Sequence, residues 1–266
     1  MLYFVATPIG NLEDITLRAL NTLKSVDVIA CEDTRKTSIL LNHYDIHKRL
    51  ISYHKNNEFE SAKGIIALLE GGKNVAVVSD AGMPVISDPG NILVQKLQEA
   101  NQEFTIIPGA NAALSALVLS GLSAQTFTFV GFLPNQNKAR IELLEGLRSA
   151  KPTMIFYVAP HDVLETLAIC HKIFGARKAC LVKEITKVFE TAYSFTLGDE
   201  IDMELRGEFV LVVEGASGEE NPLEGLTLPQ QVEFYINSGL SKKEALKTVA
   251  KANGVINIYK VLEENI

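Results

Sequence analysis

The sequence predicts an α/β protein of two α/β domains with a small helical tail, and three observations carry that expectation. Short apolar runs alternate with segments of helical periodicity, the pattern of a mainly parallel sheet with helices on its faces. The glycines, prolines and acidic residues that interrupt the pattern fall at the carboxyl ends of the apolar runs, so they would converge on one edge of a sheet. After a break at Gly121-Leu122-Ser123-Ala124-Gln125 the alternation resumes, dividing the chain into residues 1–120, 121–220 and a tail, 221–266.

In chain order, residues 2–6 read as the first strand and Thr7-Pro8-Ile9-Gly10-Asn11 as the loop at its end, before a helix over 15–24. A second strand, 26–31, runs into Glu32-Asp33-Thr34-Arg35 and a helix ending near His43. A helix over 58–70 and the turn Gly71-Gly72-Lys73-Asn74 lead to a buried strand, 75–78. The loop that follows, Ser79-Asp80-Ala81-Gly82-Met83-Pro84-Val85-Ile86-Ser87-Asp88-Pro89-Gly90, is longer than a β–α connection requires. Asp88 reads as the N-cap and Pro89 as the first position of the next helix, 91–100. In an open α/β sheet, ligands bind outside such strand ends. Residues 104–107 form a fourth strand, followed by Pro108-Gly109-Ala110-Asn111-Ala112 and a helix to Ser120.

Beyond the break, strands are expected over 127–132, 153–158, 179–184, 193–196 and 209–214, with helices over 138–149 and 163–174. The cleft between the two domains is the natural ligand site. Glu219-Glu220-Asn221-Pro222 reads as a linker. In the tail, Ser241-Lys242-Lys243-Glu244 is a capping box that starts a helix ending at Asn253-Gly254. A further helix from about Ile256 completes a helix-turn-helix outline. Lys243, Lys247 and Lys251 line one exposed face, while Leu246, Val249 and Ala250 are free to pack.

Composition narrows the classes. A 266-residue chain with 47% hydrophobic and 21% charged residues is a globular protein with a substantial core. No apolar run approaches a membrane span, and the apolar start reads as a strand rather than a leader. Cys31, Cys170 and Cys180 are odd in number and far apart, which suits a reducing cytosol and neither a disulfide framework nor a structural zinc. His43 and His47 lack a third ligand, so no metal site is expected. Neither G-x-G-x-x-G nor a P-loop is present. A net charge of −7 makes any RNA partner depend on a local basic patch. Residues 35–55 supply one: Arg35, Lys36, His43, Tyr44, His47, Lys48, Arg49, Tyr53, His54 and Lys55 interleave cations and aromatics.

Three ordered stretches together resemble the ribosomal RNA small-subunit methyltransferase I family of the tetrapyrrole-methylase superfamily. They are Ala6-Thr7-Pro8-Ile9-Gly10-Asn11-Leu12 with Asp14-Ile15-Thr16-Leu17-Arg18-Ala19-Leu20, then Glu32-Asp33-Thr34-Arg35, then the loop from Ser79 to Gly90. The resemblance runs nearly end to end. It implies S-adenosylmethionine as cofactor, bound between two α/β domains, and a homodimer in the cytoplasm. It also implies methyl transfer to the ribose 2′-hydroxyl of a decoding-region cytidine in 16S rRNA of the small ribosomal subunit. Cofactor contacts are expected from Pro8, Ser79, Asp80, Ala81, Gly82, Pro84, Ile86, Asn111 and Ala112, with Tyr157, Val213 and Gly215 from the second domain. Small residues would allow close backbone approach; Asp80 would accept hydrogen bonds from the cofactor or bond its own loop amides.

Glu32, Asp33 and Glu184 are the catalytic candidates. Glu32 and Asp33 point oppositely on an extended chain, so at most one faces the site. Asp33 is the favoured one, with helix capping as its alternative role. Arg18, Arg35, Lys36, His54, Lys187, Lys243, Lys247 and Lys251 are the substrate-binding candidates. The chain departs from the family pattern at Met83, at Ala110-Asn111, at Asn135-Gln136-Asn137 and at Val158 and Asp162. Two other functions remain open: methylation of a tetrapyrrole carbon, and a non-catalytic RNA- or ribosome-binding module retaining S-adenosylmethionine.

Overall fold

The structure, a computed structural model, describes residues 1–216 and 226–253. One compact unit spans Met1–Ala216. Its first half comprises β1 (Leu2–Val5), α1 (Leu17–Ser25), β2 (Val28–Cys31), α2 (Thr34–His43), β3 (Arg49–Ser52), α3 (Glu58–Glu70), β4 (Val75–Val78), α4 (Asn91–Glu99), β5 (Phe104–Ile107) and α5 (Ala112–Ser120). The five strands form one parallel sheet in the order β3-β2-β4-β1-β5. β2 and β4 are central, covered on both faces, and every residue in them is buried. That is why they read as unbroken apolar runs rather than as alternation.

The second half comprises β6 (Phe127–Phe132), α6 (Asn137–Gly146), β7 (Thr153–Val158), α7 (Val163–Phe174), β8 (Lys178–Lys183), β9 (Thr191–Thr196) and β10 (Phe209–Val213). Its sheet is mixed, ordered β6-β7-β10-β8-β9, with only β6 and β7 parallel. α5 joins the halves: its Ala113, Ala116 and Leu117 share a core with Ile155, Val182, Val210 and Val212 of the second sheet. The tail unit holds α8 (Leu228–Asn237) and α9 (Lys242–Ala252), closed over Val232, Ala245, Leu246 and Val249.

Four features differ from the sequence-based expectation. β3 falls inside the stretch taken as a basic surface, and its exposed ends, Arg49 and Ser52, hide an edge strand. Tyr53 is buried, and Tyr44 donates to the Leu12 carbonyl and packs on the core, so neither tyrosine interleaves with the cations as a stacking platform. α8 was not anticipated, although Thr227 and Gln230 form a capping box at its start. The expected linker at 219–222 and the helix from Ile256 lie outside the described residues.

The fourth difference concerns α4. Its N-cap is Gly90, at φ +148°, and not Asp88. A residue of α3 takes over the capping: Glu58 Oε1 accepts the amides of Gly90 (2.8 Å) and Ile92 (3.2 Å) and the Tyr53 hydroxyl (3.0 Å). One carboxylate therefore satisfies two orphan helix donors and a buried phenol. Glu58→Ala leaves all three unpaired and is expected to lower the unfolding free energy by about 1–3 kcal/mol. Urea denaturation checks this, and a variant within about 0.5 kcal/mol of the parent would refute the clamp.

Candidate active site

The parallel register brings four strand ends to one level: Val5 pairs with Val78 and Ile107, and Cys31 with Val78. The loops after these strands therefore open side by side. Two of them are stitched together, since the Thr7 amide donates to the Gly82 carbonyl (2.9 Å) and the Gly82 amide to the Thr7 carbonyl (3.0 Å). The Ser79 hydroxyl donates to the same Gly82 carbonyl at 2.9 Å. Gly82 has φ +78°, and a Cβ there would sit 3.1 Å from Ile9, so glycine is required for both turn and approach. Val85 (φ 75°) and Ser87 (φ 66°) are also left-handed. For a β-branched residue this is strain of order 1–3 kcal/mol, sustained only by the surrounding contacts.

These loops form one wall of a cleft of about 490 Å³ between the two sheets. That wall carries Ile9, Glu32, Lys36, residues 80–83 and 86–88, Asn111 and Ala112; Phe132, Tyr157, Ile185, Phe209 and Val210 face them. The volume suits a small organic ligand. Asn111 accepts from the Leu114 amide as the N-cap of α5 and lines the cleft as well. Asp80 bonds the β2–α2 junction, not its own loop: Oδ1 accepts the Asp33 amide (3.1 Å) and Oδ2 pairs with Lys36 Nζ (2.8 Å). Burial, with Glu32 and Asp80 nearby, raises the Asp88 carboxyl to about 6. Burial likewise raises the Tyr157 phenol.

A second, more open cavity of about 450 Å³ adjoins the first, sharing Glu32 and Asp80. Asp33, Thr34, Arg35, Ser52, His54, Lys55 and Asn56 complete it. Here the alternative role of Asp33 prevails over the favoured one. It is the N-cap of α2, accepting the Arg35 amide (2.9 Å), while Glu32 turns into the main cleft. Asp33 also grips the Arg35 guanidinium with both oxygens, at 3.1 and 2.8 Å, and that pair holds its carboxyl at about 2. The Arg35 side chain is otherwise 88% exposed. His54 Nδ1 is buried without a hydrogen-bond partner.

Of the sequence-predicted residues, Glu32, Lys36, Asp80, Ala81, Gly82, Ile86, Asn111, Ala112 and Tyr157 line the main cleft, and Asp33, Arg35 and His54 the adjoining cavity. Pro8, Ser79 and Pro84 are buried behind the loops. Glu184 and Lys187 stand beside the lining residue Ile185, where Lys187 Nζ bridges Glu184 and Glu208, both at 2.9 Å. Burial opposes ionisation of Glu184, but the Lys187 ammonium and the Glu208 amide outweigh it and hold its carboxyl below the usual range. Arg18 is exposed on α1 and borders neither cavity.

Val213 and Gly215 are not cleft residues. β10 runs antiparallel to β7, so its amino end, Phe209 and Val210, reaches the cleft, while Val213 pairs with Met154 in the core. Gly215 lies against the Lys151 carbonyl. Lys243, Lys247 and Lys251 are exposed on α9 of the tail unit. Sequence reasoning missed Phe132, Ile185, Phe209 and Val210 in the cleft, and it gave Asp88 the wrong task.

Two α/β sheets meeting at a strand-end cleft of this size define a protein built to hold a small organic ligand. Residues 1–200 match the family model described as Tetrapyrrole (Corrin/Porphyrin) Methylases. The chain is 46% identical to "Ribosomal RNA small subunit methyltransferase I" of Bacillus subtilis, over 94% of this chain and 89% of the relative. It is also 46% identical to the protein of that name from Halalkalibacterium halodurans, over 97% and 94%. Among solved structures, uroporphyrin-III-C-methyltransferase from Thermus thermophilus superposes with a TM-score of 0.59 at 20% identity, covering 80% of this chain and 93% of that one. The chain belongs to the tetrapyrrole (corrin/porphyrin) methylases and, among them, to the ribosomal RNA small subunit methyltransferase I family. It is a methyltransferase, and no helix among the described residues is long and apolar enough to cross a membrane.

The two roles of Asp33 separate experimentally. Asp33→Ala removes the cap of α2 and is expected to cost about 1 kcal/mol. Arg35→Ala removes only an exposed ion-pair partner and should cost less than about 0.5 kcal/mol. Paired urea titrations measure both, and equal losses would refute the cap as the stabilising contact.

Proposed function

We propose that this chain transfers a methyl group from S-adenosylmethionine to the ribose 2′-hydroxyl of a cytidine in the decoding region of 16S rRNA, within the small ribosomal subunit. The relatives named above support an rRNA substrate, and the resemblance of the three motif stretches supports the 2′-hydroxyl and the cytidine. One structural observation carries the reading: two cavities of different character share a wall formed by Glu32 and Asp80. The main cleft suits the donor, and the polar, cation-rimmed one suits a nucleotide.

The residues of the main cleft fit the donor. Gly82, Ala81 and Ala112 admit close backbone approach, and the tilted Phe132–Tyr157 ring pair, 5.4 Å apart, offers apolar ring surface for a purine to pack against. Lys36 is neutralised by Asp80 and presents no free cation to a positive ligand. When bound, S-adenosylmethionine supplies an electrophilic methyl group on a cationic sulfur.

In-line transfer demands an acceptor oxygen aligned behind that methyl group. Glu32, on the shared wall, is positioned to take the hydroxyl proton as the oxygen attacks. Arg35 meets a backbone phosphate while Asp33 keeps its guanidinium oriented. Lys55, exposed on the rim of the same cavity, adds a second cation for the nucleotide. The same reading carries a cytoplasmic homodimer, supported by exposed apolar side chains on edge strand β5 (Phe104, Ile106) and on α5 (Leu114, Val118, Leu119).

Tritiated S-adenosylmethionine with small ribosomal subunits from cells lacking this gene tests the reading. Label is expected at one cytidine ribose. Glu32→Gln should slow transfer about 10²–10⁴-fold with S-adenosylhomocysteine binding intact. Arg35→Ala should raise KM for the subunit far more than it lowers kcat. Donor binding without label in any ribosomal RNA would overturn the rRNA assignment.

A further inference from the structure

Four carboxylates and one ammonium line the main cleft: Glu32, Asp80, Asp88, Glu208 and Lys36. Lys36 and Asp80 neutralise each other at 2.8 Å. Glu32 and Asp88 are left uncompensated, and the unfavourable influences on Asp88 are burial and these carboxylates, with no hydrogen bond to relieve them. The groups facing Asp88 come from every surrounding element. They are Glu32 after β2, Asp80 after β4, Lys36 on α2, Tyr157 at the end of β7, Glu208 before β10, and the bonded pair Tyr53 and Glu58 beneath. The Glu208 carboxylate is held by Lys187 at 2.9 Å, and Tyr53 donates to Glu58. Among the described residues, no cation in this shell remains free for Asp88.

A strained loop projects this carboxylate. Left-handed Val85 and Ser87 precede it, and Gly90, whose Cβ would lie 2.5 Å from Val85, follows. The Glu58 clamp on Gly90 and Ile92 holds the loop's far end. A half-buried, unpaired carboxylate held by strain in a cavity is a preorganised site for positive charge.

We propose that Asp88 is a specificity-determining residue that makes the cleft prefer a sulfonium over the corresponding neutral thioether. This rests on the methyl-donor reading above. Ionised, Asp88 and Glu32 attract the cationic donor in a partly desolvated cavity, where Coulombic attraction is stronger than in bulk water. Once the methyl group has left, with the S–C electron pair retained on sulfur, the ligand is neutral there and the preference disappears. Release of the product is thereby favoured over loss of the donor. The sign with pH follows from the raised carboxyl: below about 6 Asp88 is protonated and the preference weakens, and above it the preference is full. Donor binding near pH 6 is accordingly coupled to release of a proton.

Isothermal titration calorimetry of the full-length wild-type chain from pH 5 to pH 8, with S-adenosylmethionine and with S-adenosylhomocysteine, tests this. Both ligands carry the same adenosine and amino-acid groups, so the ratio of their dissociation constants isolates the sulfonium charge. The preference for the donor is expected to fall about five- to tenfold from pH 8 to pH 5, as the ionised fraction of Asp88 drops to about a tenth. Asp88→Asn should have the low preference at every pH while binding S-adenosylhomocysteine as the wild type does, which also reports an intact fold. Should that variant not fold, the wild-type heats at pH 6 in buffers of different ionisation enthalpy decide, with proton release expected for the donor alone. A wild-type preference that is flat with pH, or one that still changes in Asp88→Asn, overturns the proposal and leaves the methyl-donor reading standing. Failure of the wild type to bind either ligand overturns that reading, and the proposal with it.

Discussion

Everything at the cleft depends on the parallel register of the first sheet. Because Val5, Cys31, Val78 and Ile107 end at one level, the loops that follow them have nowhere to go but beside one another. Reciprocal hydrogen bonds between Thr7 and Gly82 lock two of these loops, and Asp80 ties the same segment to the start of α2. Left-handed Val85 and Ser87 can then exist, since both ends of their loop are held by contacts made elsewhere, at Thr7 and at Glu58. Strain in the loop is thus a consequence of the register.

The acidic total charge and an RNA substrate are reconciled by separation on the scale of one side chain. Within the main cleft the carboxylates outnumber the single ammonium, which suits a cationic ligand. One wall away, Arg35 and Lys55 face outward. Arg35 remains bound to Asp33 with both Asp33 oxygens engaged, so on the proposed reading it would offer one outer edge to a phosphate without being freed first.

The fold was legible wherever local pattern and global position agree. Apolar runs such as 75–78 and the capping box at Ser241 announce themselves, and the β–α alternation dictates the parallel first sheet. Strand direction was not legible: a fully buried run like β10 reads identically parallel or antiparallel, and taking its carboxyl end as the ligand end misplaced Val213 and Gly215. Asp88 was misread because Asp-Pro is a strong local signal for a helix start. The competing determinant, Glu58, lies some thirty residues earlier in the chain and is invisible to any window. Likewise the Glu32-Asp33 pair declares that only one residue faces the cleft, but which one depends on the phase at which β2 hands over to α2.

The two cavities draw on different parts of the fold, so that on the proposed reading the donor and acceptor sites rest on different elements. The main cleft is built from strand ends in both sheets and from α5, one face of which is buried in the second sheet's core, so altering it disturbs the packing of both halves. Apart from the shared wall, the adjoining cavity is built from the first turn of α2 and the residues around the end of edge strand β3, among which Arg35, Lys55 and Asn56 are exposed and cost little stability to replace. An acceptor site placed there is free to change its substrate while the donor site stays constrained.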